Sequence, residues 1–352
     1  MVKSIFAACT FLTSLLLFVT IGSTAPTKPV LTLLNWSEYM DPELIAEFEA
    51  QHNVEVREVY FETEDLRTDM LLRAKQGDFD LVVCNDLSIR AYVNQGWIEP
   101  LSQAEVPNLK YMDPRWQKLS PESVQHGAPF LWGTTGIAYR TDKIAEPVKS
   151  WQALFSPEEK LRNKILMVND VGDMIGMSLK TLGYSANSTD LNAHQEIEEL
   201  LLKQKPYVRN YGYMSLDENS VLVTGEIWMA MMYNGDAMMI RELNTDIEYV
   251  VPEEGGNLWV DYLCVMSSSK QKALAKAFIN FLNEPNNAAR LAQFAYYATP
   301  NLAAEKLLPE DFLSNPYIYP PAKVLAKSEI YQPLPGEILK IRNRILNRVI
   351  QR

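Results

Sequence analysis

Apolar positions along this chain switch between two spacings. Residues 30–35 (VLTLLN) form a short, almost unbroken apolar run of the kind a buried strand carries. Asp41 and Pro42 then open a stretch in which Leu44, Ile45 and Phe48 recur at helical spacing, with aspartate suited to the N-cap and proline to the first helical position. Residues 54–60 alternate with period two and predict a second strand; Leu66, Met70, Leu71 and Ala74 return to the helical period, closed by Gly77. Residues 79–84 are again strand-like. The order β-α-β-α-β, with right-handed crossovers, predicts a parallel sheet whose ligand crevice lies beyond the carboxyl ends of its strands.

A second α/β series begins near Ser150, with strand-like residues 164–168 and helices at 174–182 and 190–203. Strand-like runs follow at 227–232, 247–251 and 258–266, then helices at 270–282 and 286–294. The terminal stretch 338–350 is amphipathic. Leu339, Ile345, Leu346 and Val349 predict docking on a lobe, with Arg342, Arg344 and Arg348 on a solvated basic face; a membrane-surface role is the alternative.

Length adds a domain argument. The chain has 352 residues, of which 1–25 read as a secretory signal peptide: Lys3 supplies positive charge, 5–21 are apolar, and 23–25 are small. A retained membrane anchor is the competing reading. The roughly 325 residues that follow are too many for one core and predict two lobes. No later run is apolar for long enough to cross a bilayer, so no transmembrane segment is expected in the mature chain. A net charge of −11 disfavours nucleic acid and favours cationic ligands through steering, although ordinary solubility explains it equally well. Of three cysteines, Cys9 lies in the leader; Cys84 and Cys264 leave one disulfide open as a question. With no Cys/His cluster, neither a metal site nor a cofactor is expected.

Candidate chemistry gathers at strand ends. Trp36, Ser37, Glu38 and Tyr39 follow the first strand and offer two aromatic faces, a hydroxyl and a carboxylate, a combination suited to a cation that also carries hydrocarbon. Asn85 ends another strand. Asp170 and Asp173 either cap the helix near 174, contact a ligand, or serve as an acid/base pair. Trp259 and Asp261 share one side of a strand, and an inward Asp needs a partner: a ligand ammonium or an arginine. Residues 233–236 (YNGD) read first as a turn. The SxxK pattern at 267–270 stands without companion motifs and reads as a turn. No catalytic residue is assigned.

Seven blocks then resemble, in order, the spermidine/putrescine-binding proteins of bacterial polyamine ABC transporters. They are residues 35–39 (NWSEY), 79–83 (FDLVV), 129–137 (PFLWGTTGI), 233–237 (YNGDA), 254–256 (EGG) with 259–261 (WVD), 278–282 (FINFL) and 297–304 (YATPNLAA). The resemblance implies an α/β fold of two lobes, the type II periplasmic-binding-protein fold, with the chain crossing between lobes at a hinge. It implies an N-lobe from 26–135 and 261–303 and a C-lobe from 136–260 and 304–352. It also implies polyamine contacts at Trp36, Ser37, Tyr39, Asp170, Asp173, Tyr233, Asp236, Trp259, Asp261, Tyr297 and Gln332. Two departures stand out: residues 84–87 (CNDL) replace a Pro-Ser-Thr-Tyr pattern, putting Asn85 where a hydroxyl is usual, and Tyr233 replaces a tryptophan.

The function expected is capture of a polyamine, spermidine favoured and putrescine possible, by a monomeric periplasmic protein that delivers it to the permease of an ATP-driven importer. A polyamine-sensing receptor of the same fold is the first alternative, and an exported hydrolase using Asp170 and Asp173 the second.

Overall fold

The computed structural model describes residues 28–116 and 119–351. The expected signal peptide, with Cys9, lies outside the described residues.

Strand β1 (Val30–Asn35) is followed by helix α1 (Pro42–His52), whose N-cap Asp41 accepts the Glu43 N–H and whose Pro42 occupies the first turn. Next come β2 (Glu55–Tyr60), α2 (Glu64–Arg73) and β3 (Leu81–Asn85); β2 and β3 flank β1 and run parallel to it, as the alternating pattern predicts. Asn85 ends β3 and caps α3 (Asp86–Asn94), accepting the Ser88 N–H. Strand β4 (Ala128–Arg140) is buried along its whole length. Its first half pairs antiparallel with β9 (Leu258–Val265), and its second half with β7 (Met229–Tyr233) and β8 (Ile247–Val250).

The second series contains β5 (Ile165–Met167), α4 (Val171–Thr181), α5 (Leu191–Gln204), β6 (Val208–Tyr211), β7 (Met229–Tyr233), α6 (Asn234–Leu243) and β8 (Ile247–Val250). Strand β9 (Leu258–Val265) returns to lie between β3 and β4, and α7 (Lys272–Leu282), α8 (Pro285–Ala295) and the terminal α9 (Gly336–Ile350) complete the longer elements. The strand order is β2-β1-β3-β9-β4-β7-β5-β6, with β8 also on β4. β4 therefore serves two half-sheets, and the chain recrosses between β8 and β9.

Apolar burial follows that division. Leu31, Leu33, Val83, Leu263 and Phe278 pack in one core; Ile137, Trp151, Ile165, Met229, Ile345 and Val349 pack in another. The terminal helix docks on the second core through Ile345, Leu346 and Val349, whereas Leu339, expected on the same face, is exposed because it lies on the solvent side of the helix. Arg342 departs from the expected basic face. It turns inward and donates to His194 Nε2 at 3.2 Å and to the Ala186 carbonyl at 2.9 Å, because its position lies on the packed side of α9. Residues 267–270 form a turn and polar lead into α7. Cys84 and Cys264 are present as buried free thiols. No helix among the described residues is long and apolar enough to cross a membrane.

Candidate functional site

The strand ends bring aromatic rings from both half-sheets into one continuous file. Tyr213 stacks near Tyr233 (6.2 Å between centroids), Tyr233 meets the edge of Trp259 (6.0 Å), Trp259 meets Tyr297 (5.0 Å), and Tyr297 meets Tyr39 (5.5 Å). Trp36 lies beside the file against Phe61, at 4.3 Å. Offset and edge contacts of this kind hold the rings in fixed orientations. Close approach also needs small residues: a Cβ on Gly133 of β4 would stand 2.5 Å from the Trp259 ring and 2.3 Å from Asn234 Oδ1.

Three tyrosines of this file each hold a carboxylate on the hydroxyl. Tyr39 donates to Asp261 Oδ2 at 3.2 Å, Tyr297 to Asp236 Oδ1 at 2.7 Å, and Tyr233 to Asp173 Oδ2 at 3.0 Å. Asp173 is the most heavily held. Its Oδ1 also accepts from Tyr331 at 2.7 Å and from Thr135 and Asn257 at 3.2 Å each. Asp170 is the N-cap of α4 and accepts the Asp173 N–H at 2.8 Å, so the capping expected from the sequence is made. Ring Tyr331 packs on a seat left by Gly172 and Gly176, where a Cβ would stand 2.9 Å from its ring carbons.

Electrostatics mark these acids as strained in charged form. Burial pushes Asp261 up to about 7 and Asp236 up to about 6, against hydrogen bonds that pull them down. Burial first, and like charge second, raises Asp170 above the ordinary carboxylate range; Glu64 adds to that repulsion. Burial likewise raises Asp173 despite its four side-chain donors. Glu64, on the first turn of α2, is raised by burial and by Asp173 and lowered by Arg67. Arg67 itself is fully buried, donates to Tyr92 Oη (3.0 Å), the Val83 carbonyl (3.3 Å) and Ser88 Oγ (2.5 Å), and stands 3.7 Å from Glu64. Its charge offsets part of that of Glu64 and Asp261.

Of the residues singled out from sequence, the structure groups Trp36, Tyr39, Asp170, Asp173, Tyr233, Asp236, Trp259, Asp261 and Tyr297. Asn85 lies opposite Asp261 in the β3–β9 register and donates its amide to Glu64. Ser37 is exposed at the rim. Gln332 is exposed and turned away: its N–H donates to Asn187 Oδ1 and its side chain to the Ile330 carbonyl. The neighbouring Tyr331 reaches the acids instead. Sequence reasoning also passed over Glu64, Arg67, Thr135, Tyr213 and Asn257. The glycines four apart at 172 and 176 are the readable trace of Tyr331, since they mark one open face on a helix. Among the described residues no group of acids, histidines or cysteines has the arrangement of a metal site.

Comparisons with known proteins agree with this architecture. Residues 43–318 match the family model described as bacterial extracellular solute-binding protein. The spermidine/putrescine-binding periplasmic protein of Salmonella typhimurium is 32% identical over 307 residues, 87% of each chain. A norspermidine sensor of Vibrio cholerae is 29% identical over 316 residues, 89% of this chain and 87% of its own. Among solved structures, a putative spermidine/putrescine ABC transporter protein from Listeria monocytogenes superposes with a TM-score of 0.82 at 32% identity, covering 92% of this chain and 99% of that one. The fold is the two-lobed fold of periplasmic solute-binding proteins. The aspartate pair at 170 and 173 accordingly belongs to a solute-binding protein, not to a hydrolase. The chain is a member of the bacterial extracellular solute-binding protein family.

Proposed function

We propose that this protein binds a linear polyamine between its lobes and hands it to the permease of an ATP-driven importer. The observation that carries the reading is the alternation along the aromatic file: Asp173, Asp236 and Asp261 each hang on a tyrosine hydroxyl, with rings between them. A polyamine repeats the same pattern in reverse, with ammonium groups joined by methylenes. Carboxylates meet the ammonium groups through charge-assisted hydrogen bonds, and the ring faces cover the hydrocarbon. Several acids enclosed together and raised toward neutrality gain most from an incoming cation. The names of the relatives support the same ligand class and an importer partner.

In this reading the ligand contacts are Trp36, Ser37, Tyr39, Asn85, Asp170, Asp173, Tyr233, Asp236, Trp259, Asp261, Tyr297 and, once its exposed side chain has rotated toward the cleft, Gln332. Ser37 and Gln332 are the outermost of these. Glu64, Tyr213 and Tyr331 extend the proposed set. The lobes are 26–135 with 261–303 and 136–260 with 304–352, a division supported by the two apolar cores, although Ala304 and Leu308 pack on the first of them. The working compartment is the periplasm, as for the relatives. Resemblance to a norspermidine sensor favours a second reading, in which occupancy is passed to a membrane receptor.

Calorimetry with putrescine, spermidine, norspermidine and spermine tests the proposal. At least one should bind with micromolar affinity or better, about −8 kcal/mol. Absence of heat and of any thermal shift at millimolar amine would overturn it. Copurification with a permease and its ATPase, against copurification with a membrane receptor, separates the two readings.

A further inference from the structure

Cys84 on β3 and Cys264 on β9 are 180 positions apart in sequence, and their sulfurs stand 3.5 Å from each other. They are the only cysteines among the described residues. A buried residue touches about 6–12 others. Two residues scattered at random in a chain of this length would therefore meet roughly three times in a hundred. Both side chains are fully buried in the same apolar cluster, between strands that are themselves adjacent.

The register adds geometry. Cys84 pairs with Tyr262 and Cys264 with Val82, so the thiols share one face of the sheet along a diagonal. Diagonal neighbours begin farther apart than directly opposed ones, and sheet twist shortens one diagonal at the expense of the other. A sulfur separation of 3.5 Å places the two thiols in contact along this diagonal. Closing the remaining distance to a bond of about 2.05 Å takes side-chain rotation together with a closer approach of β3 and β9.

We propose that Cys84 and Cys264 form a disulfide in the exported protein, clamping β3 to β9 immediately beneath the paired residues Asn85 and Asp261. The oxidant is a disulfide carrier of the thiol–disulfide oxidoreductase class. The Cys84 thiolate attacks the carrier disulfide, forming a mixed disulfide and expelling one carrier thiolate. The Cys264 thiolate then attacks the Cys84 sulfur and expels the second. Two protons leave the cysteines, and the two electrons reduce the carrier to its dithiol. Both thiols are sealed from solvent once the sheet is complete, so the exchange takes place while β9 is still being added between β3 and β4. Burial then protects the bond and, in a chain that folded reduced, also holds the Cys264 thiol high and inert.

The test uses the full chain recovered from the exported fraction and denatured with maleimide in the absence of reductant. Peptide mapping should find a linked pair of peptides containing Cys84 and Cys264, both unlabelled, and both labelled after reduction. Labelling of both before reduction would overturn the proposal. In Cys264→Ser, Cys84 has lost its partner and should take one label without reductant. If Cys84 in that variant stayed blocked, its protection in the parent would have another origin and the proposed bond would fall. Neither result depends on which solute the cleft binds.

Discussion

The two walls of the cleft carry the same sign of charge and manage it differently. On the wall built from β3, β9 and α2, Asp261 and Glu64 lie near the buried guanidinium of Arg67, which offsets part of their charge. On the wall built around α4, Asp170 and Asp173 are held by a backbone N–H, by three hydroxyls and by an amide, all neutral. Neutral dipoles orient a carboxylate without cancelling its charge, whereas a buried cation does both. The α4 wall thus has the greater unmet demand for a cation. An ammonium group bound between the walls should be held chiefly from that side.

Asp173→Asn should accordingly cost the most. The change keeps the shape and removes the charge, so polyamine binding should weaken by about 2 to 5 kcal/mol, the range for truncating one partner of a buried charge pair. Calorimetry reads the loss, and a thermal melt confirms that the variant folds. Asp261→Asn should fall near the lower end, about 2 kcal/mol, since Arg67 and Glu64 still balance each other behind it. A larger loss at Asp261 than at Asp173 would break the asymmetry.

The sequence announced the strand ends of this site more clearly than its walls. An almost unbroken apolar run placed β1, period-two and helical spacing placed α1, β2 and α2, and Asp41 with Pro42 marked a helix start that the structure keeps. Trp36, Tyr39 and Asp261 were legible because strand-end position and alternation show which way a side chain points. Tyr331 and Tyr213 were not. Both come from segments between regular elements, where no periodicity constrains direction, and only tertiary packing brings Tyr331 to Asp173 and Tyr213 to Tyr233. Arg67 carries no mark of its role in the spacing of Leu66, Met70 and Leu71 around it. Its burial follows from hydrogen bonds to Tyr92 and Ser88 on a different helix, α3, and no local pattern encodes them. Gln332 shows the complementary limit, since a one-residue step in an irregular segment decides between facing the cleft and facing solvent.

A pH titration sharpens the comparison next. Asp261 near 7 and Asp236 near 6 are partly protonated around neutrality in the unliganded protein. They face Tyr39, Tyr297, Glu64 and Arg67, with Asp170 and Asp173 across the cleft. A polyamine binds the ionised forms, and its own ammonium groups stay charged because amines of the lysine type titrate near 10. Binding should therefore release protons at pH 6 to 7 and tighten from pH 5.5 to 8, by up to about tenfold per pH unit for each group still protonated. The unliganded fold should show the opposite trend. A carboxylate whose native pKa lies above its unfolded value binds more protons when folded, so stability falls as pH rises between those two values. The ligand-induced shift in melting temperature should thus widen with pH. Titration in buffers of different ionisation enthalpy measures the protons directly, and a binding heat independent of buffer would remove these acids from the ligand's contacts.

Tyr331→Phe should give the smallest effect, and it tests whether the hydroxyls of the α4 wall stabilise the charge on Asp173. The phenylalanine ring keeps the seat on Gly172 and Gly176, so packing is retained while the 2.7 Å hydrogen bond to Asp173 Oδ1 is lost. Thr135, Asn257 and Tyr233 remain as donors, and the net loss of one such bond is about 1 kcal/mol, or roughly fivefold in Kd. Fewer donors also favour the protonated carboxyl, so the deficit should be larger at pH 6 than at pH 8. Gly176→Ala supplies the contrast. Its added methyl would displace the ring itself, and should lower affinity and thermal stability together. If Tyr331→Phe bound like the parent at both pH values while Gly176→Ala did not, Tyr331 would serve the wall by packing alone, and the charge on Asp173 would rest on Thr135, Asn257 and Tyr233.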